Sequence, residues 1–426
     1  MRLAANRRPR PIARALSPVR DFLAAEAGGG ALLVAAAAVA LVWANSPWRA
    51  AYSELWGAEL GLRLGGWRLE HDLRHWVNDG AMTVFFLVVG LEIKRELTAG
   101  SLAGRRAALL PAAAALGGMV VPAAIYLAVA GRSAPGGWGV PMATDIALAV
   151  GVLALAGPRA SPELRVFLLG LAVVDDIGAI AVIALFYSEG VGLAALGAAA
   201  AALVAVLVLR WRDVQATPAY VLAGGALWLS LNEAHIHPTL AGVAMGLLTP
   251  SSPRAAPDLF DAEETPELDE LHTARAAVAR AKGTVSVVEW LEHVLHPWSS
   301  YVIVPVFALA NAGLVLSAER FSDAVQGAVF WGIVLGLLVG KPLGVLVATR
   351  SGARLGLFDG PPGPGRARLG VGAAAGIGFT VALFVSELAF TGEAVREEAK
   401  LAILLASVAS AALSLGLLRG GRSRRA

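Results

Sequence analysis

The chain alternates between long apolar runs and short polar connections from one end to the other. Most runs are about 17–25 residues long, the length at which a helix crosses a hydrocarbon core of about 30 Å. A transmembrane β-barrel would instead show alternating segments of about 10 residues. The pattern therefore predicts an all-α integral membrane protein with about twelve spans, of which the seventh and eighth are short. The predicted spans are 28–46, 76–93, 107–130, 138–157, 163–187, 190–209, 217–232, 236–249, 290–316, 327–349, 369–390 and 397–418.

Composition supports a membrane location and excludes several classes of protein. Of the 426 residues, 57% are hydrophobic and 16% are charged, whereas soluble domains average about 25% charged residues. The mean hydropathy of +0.66 is too high for one globular core. The absence of cysteine excludes disulfides, iron–sulfur clusters and thiol catalysis. The net charge of +3 is small and the arginines sit in short clusters between the apolar runs, so no nucleic-acid partner is expected.

Arginine and lysine are concentrated in the two tails and in every second connection, which places those segments in the cytoplasm. Both termini then lie on the same side, as an even number of spans requires. The predicted organisation is a basic cytoplasmic tail 1–27, transmembrane helices 1–8 over 28–249, an acidic cytoplasmic connection 250–289, transmembrane helices 9–12 over 290–418 and a basic tail 419–426.

Four charged residues fall near the bilayer centre in the predicted spans: Asp145, Asp175, Asp176 and Lys341. Each costs at least about 2.5–3.5 kcal/mol at mid-membrane, so each needs a physical reason. One reason is structural pairing that only holds helices together. Adjacent aspartates argue for more, because neighbouring helical residues point about 100° apart and cannot share one counter-ion. We therefore expect one aspartate to take the lysine while the other faces an open cavity.

Spans 4 and 11 carry helix-breaking residues, namely Pro141 in the first and Gly376 and Gly378 in the second. Glycine and proline also serve simple packing in membrane helices, and this alternative stays open. However, spans 4 and 11 are the middle members of the triplets 3–5 and 10–12, which run in opposite senses. Interrupted helices at matching places in inverted triplets indicate a transport site. We expect Asp145 to face the positive ends of the half-helices and Lys341 the negative ends.

At these residues the sequence resembles the NhaA family of bacterial sodium/proton antiporters. The inverted-repeat pattern is itself known from this family, so the two indications are not independent. The segments that carry the resemblance occur in family order and cover most of residues 28–418. They are Phe85–Leu97, Ala143–Ala147, Val173–Ile180, Glu292–Trp298, Gly340–Gly344 and Gly376–Thr380.

The resemblance implies twelve helices in inverted three-helix repeats, with two interrupted helices crossing near mid-membrane. It implies a homodimer, with 47–75 as a candidate contact, in the bacterial inner membrane. Asp176 resembles the main sodium-binding carboxylate and Asp175 the acid that pairs with Lys341, while Thr144 and Asp145 match the motif at the helix break. The positions that match residues linked to pH response or to the cytoplasmic funnel are Asp79, Glu92, Arg95, Glu96, His237, Glu292, His293 and His296.

Several of these pH-response residues also have an ordinary structural interpretation. Glu92, Arg95 and Glu96 are spaced like a helix-end ion pair, and a histidine at a span end is commonly a hydrogen-bonded structural group. The chain departs from the family pattern in its basic N-terminus, its longer connection 250–289 and Glu387 in span 11.

Sodium prefers oxygen ligands, which carboxylates, a threonine hydroxyl and unwound carbonyls supply. Two close carboxylates in a low dielectric repel, so the site favours taking a proton or a sodium ion but not both. The predicted function is electrogenic export of sodium, with lithium as a second cation, in exchange for protons. No cofactor, structural metal or enzymatic activity is expected. The alternatives are a sodium-coupled symporter of an organic solute and an intramembrane aspartyl protease with Asp145 and Asp175 as its dyad.

Overall fold

Over the residues that the structure describes, the fold is mainly helical, with one small β-hairpin. The computed structural model describes residues 17–64, 67–100, 102–157, 160–188, 192–212, 214, 216–251 and 286–420. Residues 1–16 and 421–426 of the predicted tails, and most of the predicted connection 250–289, lie outside these ranges. The helices are α1 (Ser17–Ala44), α2 (Arg49–Trp56), α3 (Leu73–Thr98), α4 (Arg105–Ala130), a 3₁₀-helix (Pro135–Met142), α5 (Ile146–Leu155), α6 (Pro162–Phe186), α7 (Leu193–Trp211), α8 (Thr217–Glu233), α9 (Leu240–Leu248), α10 (Val287–Asn311), α11 (Ala318–Gln326), α12 (Ala328–Arg354), α13 (Gly365–Ala375), α14 (Phe379–Ala389) and α15 (Glu393–Arg419).

Each of the twelve predicted spans coincides with a helix or a pair of helices. Seven helices of the described chain are long and apolar enough to cross a membrane, and up to ten spans result if each bent pair counts as one. These seven are α3, α4, α6, α7, α10, α12 and α15. Helices α8 and α9, at the predicted spans 217–232 and 236–249, have only 17 and 9 residues. At 1.5 Å per residue, α9 is shorter than a hydrocarbon core. The chain is thus a multi-pass helical membrane protein, and the number twelve stays a prediction.

The connection 47–75 contains a structure that the sequence analysis did not predict. After α2, strands β1 (Glu59–Leu64) and β2 (Trp67–Asp72) pair antiparallel, with Glu59 opposite Asp72 and Leu64 opposite Trp67. Leucine alternates with other residues along β1, a pattern typical of a strand. The Trp76 indole donates a 2.7 Å hydrogen bond to the Leu60 carbonyl and ties the hairpin to α3. We call this side of the molecule the hairpin end and the opposite side, where α3 finishes, the Glu92 end.

Helices α4 and α12 approach each other closely through two glycines. A Cβ atom added at Gly117 of α4 would overlap the Gly344 carbonyl of α12, and one at Gly344 would overlap the Gly117 carbonyl. Small residues at such crossings let backbones approach in lipid. The close crossing holds α12 against α4 one turn from Lys341, whose side chain lies beside Gly118. The lysine is thereby held at the level of the break between the 3₁₀-helix and α5.

Candidate functional site

Two interrupted helices meet inside the bundle. The 3₁₀-helix and α5 are bent by 40° at their break, and α13 and α14 are bent by 45° at theirs. The two breaks touch, because the Asp145 amide donates a 2.6 Å hydrogen bond to the Ile377 carbonyl. Four helix ends therefore face one small volume, as the sequence predicted for spans 4 and 11.

The chain leaves the helical conformation at these breaks for different local reasons. Pro141 lies in the last turn of the 3₁₀-helix and has no amide to continue a helix, and the linker itself is Ala143–Asp145. Gly376 and Gly378 bracket the second linker with ordinary negative φ angles. Their small size is what the site requires, because a Cβ at Gly376 would overlap the Leu337 carbonyl of α12. The predicted break residues thus stand at the breaks or one turn before them.

Asp145 receives donors from two helix N-termini. Its Oδ1 atom accepts from the Leu148 amide at 3.0 Å and caps α5. Its Oδ2 atom accepts from the Thr380 amide at 3.0 Å and from the Thr380 hydroxyl at 2.7 Å, at the first turn of α14. The negative carboxylate therefore lies between two positive helix ends, the placement that the sequence predicted.

Donors also meet the carbonyl ends of the other two half-helices. The Lys341 ammonium donates to the Met142 carbonyl, the last of the 3₁₀-helix. The Thr144 hydroxyl lies 2.8 Å from the Ala375 carbonyl, the last of α13. Lys341 is fully buried, so its charge compensates a negative helix end in a region of low dielectric.

Asp175 and Asp176 follow each other on α6 but have different surroundings. The Asp175 Oδ2 atom lies 2.7 Å from the Lys341 ammonium and 2.7 Å from the Thr144 hydroxyl. Asp176 is also buried but has no ion-pair partner among the described residues, and the Oδ1 atoms of both aspartates lack a described hydrogen-bond partner. The structure therefore decides which aspartate pairs with the lysine.

A narrow cleft reaches Asp176 from the Glu92 end. It has a volume of about 50 Å³ and its inner lining includes Asp176, Thr144, Asp145 and Thr380. From there it follows α3 along Phe85, Val88 and Val89 to Glu92, and it borders His296 of α10. Asp175 is not part of the lining. The acid without a lysine partner thus faces the cavity, in agreement with the prediction for adjacent aspartates.

Packed aromatic rings lie on the hairpin side of the site. Phe384 of α14 contacts Phe86 of α3 at a ring-centroid distance of 5.3 Å and Phe307 of α10 at 6.3 Å. All three side chains are buried. We call Phe86, Phe307 and Phe384 the aromatic plug.

Three of the helices around the site contain a π-helical turn. The turns are Trp76–Ala81 in α3, Ser299–Ile303 in α10 and Gly336–Gly340 in α12. Such turns are frequent at functional sites. The turn in α12 ends immediately before Lys341, and the turn in α10 places Ser299 and Ser300 on the cleft.

The residues predicted to respond to pH form two groups rather than one. At the Glu92 end, Arg95 contacts the buried Glu292 and lies 3.5 Å from Glu96, while His293 is exposed. Glu92 and His296 line the cleft. Asp79 lies about 20 Å away along α3, because thirteen residues separate it from Glu92. The Glu92 end and the hairpin end therefore hold separate clusters of titratable groups.

The second group surrounds Asp79 at the hairpin end. The His75 Nε2 atom lies 3.0 Å from the Asp79 carboxylate, and the two imidazoles of His71 and His75 stack at 3.9 Å. His237, in the connection between α8 and α9, has its Nε2 atom 2.9 Å from the Tyr187 carbonyl. Sequence reasoning named Asp79 and His237 but not His75.

Two further parts of the site were missed by the sequence analysis. Thr380 is the last residue of the Gly376–Thr380 motif, so the sequence could have indicated it as a site residue. The sequence could not have shown its hydrogen bond to Asp145. The carbonyls of Met142 and Ala375 carry no sequence signal at all, since every residue has one. Their role follows only from where the half-helices end.

Thr380→Val is expected to lower the stability of the fold by about 1–2 kcal/mol, because it removes a buried donor to the Asp145 carboxylate. The matched control is Thr349→Val in α12, which is equally buried but whose hydroxyl bonds the Val345 carbonyl of its own helix. Thermal unfolding in detergent should show a clearly larger loss for Thr380→Val. Equal losses for the two variants would contradict the role of this hydrogen bond.

Burial lowers the pKa of His237, with the Asp79 carboxylate opposing this shift. The unfolded chain therefore takes up a proton that the folded state resists, and stability falls as the pH drops below about 6.5. His237→Asn is expected to flatten this part of the stability profile between pH 5 and 7. The measurement is the unfolding temperature of both proteins across that range, and parallel profiles would refute the prediction.

Interrupted helices that meet inside a bundle of apolar helices, with charges at their ends, define a secondary membrane transporter. The comparisons with known proteins specify the family. The family model described as Na+/H+ antiporter 1 matches residues 20–418, so the chain belongs to this family, the NhaA antiporters.

Related proteins cover nearly the whole chain. It is 47% identical over 414 residues to "Na(+)/H(+) antiporter NhaA 3" of Frankia alni, an alignment that spans 94% of this chain and 88% of the relative. It is 46% identical over 418 residues to "Na(+)/H(+) antiporter NhaA 2" of Myxococcus xanthus, with 94% and 89% covered. It is also 46% identical over 422 residues to "Na(+)/H(+) antiporter NhaA" of Rhodopirellula baltica, with 96% and 95% covered.

Proposed function

We propose that this protein exports sodium in exchange for protons through one site at the crossing of the interrupted helices. The observation that carries the proposal is the contrast on α6. Asp175 pairs with Lys341 and does not line the cleft, whereas Asp176 lines the cleft and has no lysine or arginine partner among the described residues. A buried carboxylate of this kind needs a counter-charge, and either a sodium ion or a proton supplies it.

Competition for Asp176 explains exchange without any further coupling device. Sodium is a hard cation, and the Asp176 carboxylate and the Thr144 hydroxyl offer oxygen ligands on the cleft. A proton on Asp176 removes the negative charge that binds sodium. If the site then faces the two sides of the membrane in turn, each ion drives out the other.

Asp145 and Lys341 set the electrostatics in this proposal. Asp145 already accepts three hydrogen bonds from α5 and α14, so it neutralises helix ends. Exchange of two protons per sodium, as the family resemblance implies, needs a second proton-binding group besides Asp176, for which the buried pair of Asp175 and Lys341 is the proposed candidate, and it moves one net charge per cycle. That charge is worth about 2.3 kcal/mol per 100 mV, so membrane voltage drives the export of sodium. Lithium is proposed as a second substrate because it is also a small hard cation.

The cluster at the Glu92 end is the proposed pH-responsive part. Arg95, Glu96 and Glu292 are linked by ion pairs, and Glu92 and His296 border the cleft that leads to Asp176. A change of protonation there alters the charge along the path that the ions take. Asp79 and His237 would act separately from the hairpin end, and the exposed His293 contributes to the surface potential.

In the proposed orientation both termini and the Glu92 end lie in the cytoplasm and the hairpin lies outside a bacterial inner membrane. Twelve spans in inverted repeats, the cytoplasmic connection 250–289 and the basic tails 1–27 and 419–426 complete this organisation. A homodimer is proposed through 47–75, where the two-stranded hairpin has edges that can pair with another copy. The proposal includes no cofactor and no enzymatic step.

The two alternative functions receive less support from the site. Pockets that hold organic ligands have volumes of roughly 300–1,000 Å³, whereas this cleft has about 50 Å³, which suits an ion. A protease dyad needs two carboxylates directed at one substrate. Asp145 is instead occupied by helix N-termini, and Asp175 by Lys341 and Thr144.

The test is a pH-dye assay in proteoliposomes that contain the purified protein. With an imposed proton gradient, added sodium should collapse the gradient, and lithium should do the same. A change of the initial rate with an imposed potassium diffusion potential would establish electrogenic exchange. A gradient that survives saturating sodium at every pH between 6 and 9 would refute the proposed function.

A further inference from the structure

Glu387 is a buried acid that the proposed exchange mechanism does not use. It lies near the hairpin end of α14, with only 10% of its side chain exposed. One oxygen lies 2.5 Å from the Lys400 ammonium and the other 3.2 Å from the Arg396 guanidinium, both on α15. Lys400 is nearly as buried, at 11% exposure. The sequence marked Glu387 as a departure from the family pattern, so its role does not follow from the resemblance.

Neighbouring acids at this end of α15 are engaged elsewhere. Glu397 pairs with Arg320 of α11 at 2.6 Å. Glu398 accepts a 2.7 Å hydrogen bond from the Phe330 amide at the start of α12. Lys400 and Arg396 both form their ion pairs with Glu387. Arg74, at the start of α3, also attracts this carboxylate.

Glu387 lies on the same face of α14 as two other functional side chains. Thr380, Phe384 and Glu387 are spaced i, i+4 and i+7, which places them along one stripe of a helix. Thr380 bonds Asp145 at the site, and Phe384 is part of the aromatic plug. Helix α14 has eleven residues and is about 16 Å long, so it moves as a short rigid rod.

The ends of this rod have directional contacts, whereas its middle is held by packing. At one end are the two hydrogen bonds from Thr380 to Asp145, and at the other are the two ion pairs of Glu387. Apolar packing tolerates small sliding and rotation of a helix, whereas ion pairs in a buried setting fix both. A shift at the Glu387 end is therefore transmitted to Thr380.

We propose that Glu387 is a positioning residue that anchors α14 to α15 and thereby keeps Thr380 on Asp145 next to the cation site. This inference rests on the proposed function, since it concerns how the site is held for sodium. Without the anchor, α14 samples positions in which Asp145 loses two donors. The Asp145 carboxylate then competes with Asp176 for the ion, and the site loses its fixed geometry.

The test compares Glu387→Gln with Glu397→Gln, which breaks an exposed ion pair at the same end of α15. Glu387→Gln is expected to raise the half-saturating sodium concentration of exchange about fivefold, within the range of coupling energies for residues in one network. The maximal rate should change far less, because Asp175, Asp176 and Lys341 are untouched. Glu397→Gln should behave as the wild type.

A double-mutant cycle makes the assignment specific to the ion pair with Lys400. Lys400→Met should raise the half-saturating sodium concentration in the same direction as Glu387→Gln, and the double variant Glu387→Gln with Lys400→Met should raise it by clearly less than the two single effects combined. Folding is checked by size-exclusion elution in detergent. If Glu387→Gln does not fold, Glu387→Asp keeps the charge on a shorter side chain and should give a smaller shift in the same direction.

A second measurement is independent of transport. Sodium that binds the folded state raises the unfolding temperature with its concentration. Glu387→Gln should need about five times more sodium for the same rise. If wild type and Glu387→Gln respond equally, or if the effects of Glu387→Gln and Lys400→Met are fully additive in the double variant, the anchor role is wrong. If the wild type shows neither sodium-dependent stabilisation nor exchange, the proposed function itself fails.

Discussion

Asp176→Asn is expected to reduce sodium-driven proton exchange to the rate of liposomes without protein. The side chain keeps its size, but it loses the negative charge that holds sodium and the oxygen that takes the proton. Since Asp176 is the α6 acid that lines the cleft, no equivalent carboxylate of α6 replaces it. The measurement is the initial rate of dye dequenching after sodium addition, from pH 6 to 9.

The fold of this variant should be unaffected or slightly more stable. A neutral amide removes the cost of burying an uncompensated charge, and the Oδ1 atom of Asp176 has no described partner to lose. The matched control is Asp323→Asn, an exposed acid on α11, which should exchange at the wild-type rate. Full exchange by a folded Asp176→Asn protein would show that the cation site lies elsewhere.

Lys341→Met should be the most destabilising of the substitutions considered, by about 3–5 kcal/mol. It leaves the Asp175 carboxylate buried without its counter-charge and the Met142 carbonyl without its donor. Methionine fills a similar volume, so the loss is electrostatic rather than a cavity effect. Thermal unfolding in detergent at neutral pH measures the effect, with Arg350→Met on the exposed side of the same helix as control.

The double variant Asp175→Asn with Lys341→Met separates pairing from packing. It removes both charges and should recover most of the stability that Lys341→Met loses, because the unpaired carboxylate is the main cost. A double variant as unstable as Lys341→Met would mean that the lysine acts chiefly through the Met142 carbonyl. If Lys341→Met unfolds at the same temperature as the wild type, the ion pair between Lys341 and Asp175 does not stabilise the fold.

The sequence predicted the helical class and the location of the site, but not every partner within it. Apolar runs of spanning length marked the seven described helices that are long and apolar enough to cross a membrane, because the thickness of the hydrocarbon core sets the length of such a run. The cost of buried charge singled out Asp145, Asp175, Asp176 and Lys341. The sequence analysis did not predict the hairpin Glu59–Asp72, because a search for long apolar runs does not detect short strands of alternating residues.

Other features depended on distances that the sequence does not encode. Thr380 lies 235 residues from the aspartate it bonds, and Glu387 meets partners on a different helix. The pH-response residues looked like one set by resemblance, yet the fold places Asp79 and Glu92 at opposite ends of α3. Helical spacing left open which of the two adjacent acids pairs with Lys341; the family resemblance gave Asp175, and the structure has this pair at 2.7 Å.

By itself the sequence determined that this protein crosses a membrane several times, that two of its helices are interrupted and that acids and one lysine lie where charge is costly. These properties are local, because each depends on the free energy of moving one segment or side chain from water into lipid. Only the tertiary structure decided which atoms meet: Asp145 accepts from the Leu148 and Thr380 amides, Lys341 donates to the Met142 carbonyl, and the cleft that reaches Asp176 follows α3 from Glu92. The reason is that electrostatic partners are chosen by distance in space, which helix packing alone sets.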